Sequence, residues 1–496
     1  MGRRSRVPAL AVSVLIVSSA LAGVAASPSS ATAYPAGSAY PAGSTAIGAP
    51  TSVPEGVFAV DTPSVPDTPA IAQGTATPAQ YDQVMVRRFG SPSAPHVLVL
   101  VPGTNGGAGD FDLVAPYLAA HVPGLQVWAE MRREGALQDT SVVASVLAGR
   151  STYEKAFDYY LGWLSDPSIK NHYQPLDKAD YQFVEQWGMA VAMNDLNSVI
   201  QKARDGGRRT VTLGGHSLGG TEAAVYAAWD FDGRGGYQNI DGIMCIDGCA
   251  AAPGSQESGE TLATAQADIA TMGTKGPWLD LLGVGLPWVT GAFSQVGALA
   301  ALEAPHATSL LQTFPLLPSE FKPSEPVTNQ AELGYAFDAS TSPAALALIH
   351  VHSGHVAPTG DPAGWVDDGP TPIRNVADVF AQASLGAADW YYPERLSIDA
   401  GAAAGLQQTP LATYLGLRLL HTGQVDVPLY AFQTSLGGTD NEVADGAHYY
   451  RQQSKIPSVT VVSRTTTYSH LDPLLAASGK NAFLQTVVPW LKRIGS

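Results

Sequence analysis

Hydrophobic positions along the chain switch between two periods, and the switches divide it into elements. Gln83 to Phe89 alternates as a strand does, and His96-Val-Leu-Val-Leu-Val101 is a continuous β-branched and leucine run closed by Pro102-Gly103. Such a run predicts a strand buried on both faces of a parallel sheet. Phe111 to Ala120 has helical spacing, and Leu125 to Ala129 reads as a further strand. From Phe183 to Ala203, Met189, Ala192, Leu196, Val199, Ile200 and Ala203 recur at intervals of three and four, and Asp205-Gly206-Gly207 stops the helix. Thr210 to Leu213 is a short strand, Thr221 to Trp229 an alanine-rich helix, and Gly242 to Ile246 another strand. Strands that alternate with helices predict an α/β fold, with a mostly parallel sheet and helices on both faces.

The alternation breaks between about Pro253 and Gln424, where short apolar pieces and many prolines predict a large helical cap over 254–425. It resumes with strands at Val427 to Phe432 and Ser458 to Val462 and a terminal helix from about Asn481 to Lys492. The core is therefore expected in two parts, 81–253 and 426–496.

Ahead of the core, Arg3, Arg4 and Arg6 precede an apolar run from Val7 to about Ala26, the pattern of a secretory signal over 1–33. Cleavage is expected after Ala26 or Ala33. The run is too weakly apolar for a spanning helix, which needs about 20 strongly apolar residues, so the mature chain is expected to carry no membrane span. Residues 34–80, rich in Pro, Ala, Ser, Thr and Gly and holding the pentad YPAGS twice, read as a flexible leader.

Lysine plus arginine total 27 against 43 aspartate plus glutamate, which argues against nucleic acid or an anionic membrane surface as partner. The two cysteines, Cys245 and Cys249, exclude a disulfide scaffold and leave open a local bridge or two buried thiols.

Gly214-Gly215-His216-Ser217-Leu218-Gly219-Gly220 directly follows a strand and precedes a helix, which satisfies G-x-S-x-G in its required context. Ser217 is the candidate nucleophile. A serine hydroxyl needs a base, and among eleven histidines only His470 lies shortly after the last strand, in Tyr468-Ser-His-Leu-Asp-Pro-Leu474. His216 belongs to the elbow and is expected to pack. The carboxylate that orients the imidazole is expected at Asp440, in the loop after Val427 to Phe432; Glu442 and Asp445 share that loop, and Asp247, at the end of the preceding strand, is a separate candidate. Oxyanion donors are expected from the backbone amides of Leu218 and Thr104, with Asn105 as the alternative to Thr104.

The PGTNGGAGDF loop, the GGHSLGG elbow and the terminal YSHLDPL together resemble the α/β-hydrolase superfamily in its esterase and lipase branch, over about Asp82 to Pro253 and Val427 to Ser496. The resemblance implies an α/β-hydrolase fold and a lid at the position of the insertion. The expected chemistry is cleavage of a small-molecule or lipid ester through an acyl-enzyme, without cofactor or metal. An amidase or peptidase using the same residues, or a noncatalytic binding protein, is the alternative. His350, His352 and His355 with Asp361 have the donor types of a zinc site, but cap histidines more often bond locally, and local bonding is the expectation.

Overall fold

The strand His96–Val101 shows how the pattern is satisfied in space. In the computed structural model, which describes residues 53–72, 74–255, 260–436 and 441–495, all six residues of His96–Val101 are buried. Leu98 and Leu100 enter one apolar cluster while Val97, Val99 and Val101 enter the other. A run without polar positions needs cover on both sides, and the sheet has it.

Eight strands make that sheet: β1 (Glu55–Asp61), β2 (Gln83–Phe89), β3 (His96–Val101), β4 (Leu125–Met131), β5 (Thr210–His216), β6 (Gly242–Ile246), β7 (Leu429–Gln433) and β8 (Val459–Ser463). They lie in the order β1-β2-β4-β3-β5-β6-β7-β8. β2 runs antiparallel to both its neighbours, and every pair from β4 to β8 is parallel. This is the α/β-hydrolase fold. In the register of its central strands, His216 pairs with Ile246, and Ile246 with Phe432. Asp247 and Ser217, which come next after β6 and β5, therefore leave the sheet side by side at one edge.

Helices α1 (Val114–His121), α2 (Met189–Arg204) and α3 (Leu218–Ala228) cover the first half of the sheet. Val114, Ala115 and Leu118 of α1 join one apolar cluster, and the buried side chains of α2 and α3 join the other.

Between β6 and β7 come α4 (Leu262–Lys275), α5 (Val289–Glu303), α6 (Asn329–Phe337), α7 (Ile373–Phe380) and α8 (Glu394–Ala403). This insertion is not a separate body. Val296, Phe337 and Val376 merge with the cluster of α1, whereas Leu396, Ala403 and Leu415 merge with that of α2 and α3. It also holds a β-hairpin, Gly354–Gly360 with Ala363–Asp367, that a helical cap does not include. Part of the cover comes from the connection between β4 and β5, where Tyr160 meets Trp390 edge to face with centroids 5.2 Å apart and Tyr173 meets Trp288 at 5.0 Å. Helices α9 (Glu442–Gln453) and α10 (Ala482–Ile494) complete the layers.

The flexible leader expected over 34–80 is corrected in its described part. Glu55–Asp61 pairs antiparallel with β2 from Glu55↔Phe89 to Asp61↔Gln83. Phe58 packs on Trp128 with ring centroids 4.9 Å apart, and Trp187 Nε1 donates to Thr77 Oγ1 at 3.0 Å. The ladder offered by β2 and this apolar contact offset the ordering cost that composition alone overstated. The proposed signal sequence and residues 34–52 lie outside the described residues. No helix among the described residues is long and apolar enough to cross a membrane.

Candidate active site

At the end of β5 the chain turns into α3 through Ser217, whose backbone sits at φ 55°, ψ −126°. A side chain in that region costs roughly 1–3 kcal/mol, so the surroundings must hold it there. Ser217 N donates to Ile246 O at 2.8 Å, and the serine carbonyl accepts from Gly220 N at 2.9 Å as α3 begins. The elbow fits because Gly219 has no side chain: a Cβ there would lie 2.0 Å from Val101 O. Ser217 is partly exposed in this fully buried frame.

One strand over, β6 delivers Asp247 at the same edge, also at positive φ (49°), with its N–H donating to Phe432 O at 2.7 Å. Its neighbour Gly248 packs directly on Ser217, since a Cβ at Gly248 would fall 2.0 Å from Ser217 O. His470, in the loop after β8, donates from Nδ1 to Asp247 Oδ2 at 2.6 Å, with the two side chains 1% and 2% exposed. Asp247 also accepts from Thr434 N at 2.6 Å and from the Thr434 hydroxyl. Burial alone would raise the Asp247 carboxyl, but the bonds from His470 and Thr434 outweigh it and hold the group below its ordinary value.

His216 ties the serine to the histidine loop. Its Nε2 donates to His470 O at 2.8 Å, and the two imidazoles lie 4.3 Å apart. Burial and the neighbouring His470 push His216 down to about 3, so it is a neutral donor at physiological pH.

The expectation for the orienting carboxylate is corrected here. Asp440 lies outside the described residues, and the place it was to fill, at Nδ1 of His470, is held by Asp247. Glu442 and Asp445 stand in the first turn of α9. Chain order could not separate these candidates, because Asp247 and Asp440 both fall between Ser217 and His470. The sheet register does.

The loop after β3 borders the serine from the other side. A Cβ on Gly103 would stand 2.8 Å from Ser217 Cβ and 3.4 Å from Oγ, so the Gly103-Thr104 backbone is next to the hydroxyl. Leu218 opens α3, where the first amides have no intrahelical acceptor. The loop is pinned by Arg132, at the end of β4, which pattern reasoning did not single out. Its Nη2 donates to Pro102 O at 2.5 Å and to Glu222 Oε1 on α3 at 3.0 Å, and its Nη1 donates to Gly103 O at 3.2 Å. Glu130 and Glu134 lie in the same buried field; burial lifts Glu134 to about 8. On its far side the loop is bonded to the insertion: Asp389 N donates to Asn105 O at 2.7 Å, and Asn105 Nδ2 donates to Asp389 O at 3.2 Å.

Cys245 and Cys249 form a disulfide that brackets Asp247 and Gly248, with Cα atoms 5.2 Å apart. The three histidines of the insertion have separate partners. His350 Nε2 donates to Pro343 O at 3.2 Å, His355 Nδ1 meets Asp368 at 3.1 Å, and His352 Nδ1 meets Asp472 at 2.9 Å. Asp472 is fully buried and accepts from Ser469 N at 2.6 Å and Thr371 Oγ1 at 2.5 Å, so the insertion also grips the His470 loop.

The chain matches no protein-family model and no curated protein sequence. Solved structures with a similar course include a proposed lipase from Sulfolobus solfataricus, 15% identical over 88% of this chain and 94% of that one, with a TM-score of 0.47. An epoxide hydrolase A from Mycobacterium thermoresistibile is 12% identical over 89% and 98%, with a TM-score of 0.41. A thermophilic esterase from Thermogutta terrifontis is 13% identical over 89% and 100%, with a TM-score of 0.35. At that distance, what the site does has to be read from its own geometry.

Proposed function

We propose that the chain is an exported serine hydrolase that cleaves carboxylic esters through an acyl-enzyme on Ser217. The observation that carries this reading is the buried 2.6 Å bond from His470 Nδ1 to Asp247, formed at the sheet edge where Ser217 is held in a strained turn. With Nδ1 committed as a donor, Nε2 is the basic nitrogen, which is the tautomer a general base requires.

In this mechanism Nε2 of His470 takes the proton of Ser217 as Oγ attacks the ester carbonyl. Asp247 stabilises the imidazolium. Charge on the carbonyl oxygen is met by the Leu218 amide and by an amide of the Gly103-Thr104 backbone, each donor contributing about 3 kcal/mol to lowering the barrier. Collapse breaks the ester C–O bond, and His470 returns its proton to the departing alkoxide. Water, deprotonated by the same imidazole, then releases the acid and restores Ser217.

The aromatic and aliphatic cover built from the insertion favours an ester with a hydrophobic acyl or alcohol part over a sugar polymer. The signal-like first segment and a bridged Cys245–Cys249 pair support export to an oxidising compartment. Hydrolysis of a chromogenic short-chain ester should vanish in Ser217→Ala. Activity near the unmodified level in that variant would reject the reading.

A further inference from the structure

A cavity lies inside the insertion, between α5, α6 and the segment that joins them. It is open to solvent on one side, offers about 80 Å³ of free space, and has Phe293, Gly297, Leu311, Phe321, Leu333 and Phe337 among its walls. Ser217, Asp247 and His470 are not among the described residues that line it. Its surface is mostly apolar, and Glu332 is the one ionisable group among the described residues that line it. Glu332 projects from α6, is 4% exposed, and neither of its carboxyl oxygens has a hydrogen-bond partner among the described residues.

A buried carboxyl without a donor is costly, and a chain folds more stably with an apolar side chain in its place unless something supplies the missing partner. Burial raises Glu332 to about 8, with Lys322 pulling weakly the other way. Lys322 is committed elsewhere, since its Nζ donates to Phe314 O at 2.7 Å. Leu282 and Leu317 line the cavity, and next to them Val284 and Leu316 are 51% and 42% exposed, so apolar surface continues outward from it.

We propose that this cavity binds a small apolar amine, with the hydrocarbon part between Phe293, Leu333 and Phe337 and the ammonium on Glu332. A carboxyl with no hydrogen-bond partner on either oxygen matches an ammonium, which brings several N–H groups and the charge that compensates a desolvated carboxylate. As the ammonium enters, Glu332 gives its proton to solvent and the pair is left ionised. An alcohol supplies one donor and no charge. A carboxylate ligand would bury a negative charge with no cation to compensate it.

The test is calorimetric titration of the full mature chain at pH 7 with three probes of one size: benzylamine, benzyl alcohol and benzoate. Benzylamine should bind at least about tenfold more tightly than benzyl alcohol, and benzoate should give no saturable heat. Glu332→Gln should bring the amine and the alcohol within about twofold of each other while leaving ester turnover at Ser217 unchanged. Glu332→Leu should melt at a higher temperature than the unmodified chain. Equal binding of amine and alcohol, or undiminished amine binding by Glu332→Gln, would overturn the proposal. Should the variants not fold, the unmodified chain still decides, because benzylamine must raise its melting temperature more than benzyl alcohol does at equal concentration. The site does not depend on the hydrolase reading, so ester turnover and amine binding can fail separately.

Discussion

Asp247 and His470 are 223 residues apart in the chain and share a 2.6 Å hydrogen bond in a pocket almost sealed from solvent. Each arrives from a different side: Asp247 directly off the end of β6, His470 from the loop after β8. Because Thr434 donates to both oxygens of Asp247, the carboxylate is held in one orientation, and it fixes the imidazole. Asp247→Asn should therefore lower kcat on an ester by about 10⁴-fold with little change in KM, the size of loss seen when an orienting carboxylate is neutralised. Asp440→Asn should stay within about twofold of the unmodified protein. Steady-state kinetics on the two variants separates the assignments.

Ser217 stores strain that the fold must support. Ser217→Gly removes both the hydroxyl and the penalty for a side chain at φ 55°. It should abolish turnover and stabilise the protein by about 1 kcal/mol, measured by urea unfolding against Ser217→Ala, which keeps the Cβ and the strain.

Arg132 joins β4, the loop after β3 and α3 through one buried guanidinium. Removing it leaves Glu222 without its cation and frees the Pro102 and Gly103 carbonyls that set the course of the loop beside Ser217. Arg132→Met should cost about 3–5 kcal/mol in unfolding free energy and lower kcat more than it changes KM. Arg132→Lys keeps the charge but loses the fork of parallel donors, and it should recover stability better than it recovers kcat.

The same elements show what the sequence could disclose. β3 and the Ser217 elbow were legible because their signals are local: an unbroken apolar run, and glycines where a Cβ would strike neighbouring backbone. His470 was legible because little chain follows the last strand. The carboxylate was not, since Asp247 and Asp440 both satisfy the chain order, and only the pairing of His216 with Ile246 puts Asp247 beside the serine. The spacing Cys245-Ile-Asp-Gly-Cys249 was the available hint, as a bridge there clamps the aspartate. β1 was hidden by the prolines around it, because its partner strand lies more than twenty residues downstream. Arg132 carries no local signal, because its burial depends on three elements closing over it.

His352 introduces a pH dependence into the contact between the insertion and the His470 loop. Its hydrogen bond to Asp472 outweighs burial and raises it above its ordinary 6.5. A histidine raised by folding contributes stability that is complete below pH 6.5 and is lost as pH climbs through the raised value. The melting temperature of the unmodified protein should therefore exceed that of His352→Gln most at pH 5.5 to 6, and the gap should narrow as pH climbs above 6.5. A gap that is constant across that range would contradict the assignment.

Covalent capture of the nucleophile tests the central claim most directly. A fluorophosphonate reacts far faster with a serine whose proton is removed as it attacks than with an ordinary hydroxyl, so intact-mass and peptide spectra of the treated protein should show one adduct, on Ser217. The adduct should be absent from Ser217→Ala and strongly slowed in His470→Gln. A folded, unmodified chain that takes up no label, or takes it up on a different residue, would contradict the account.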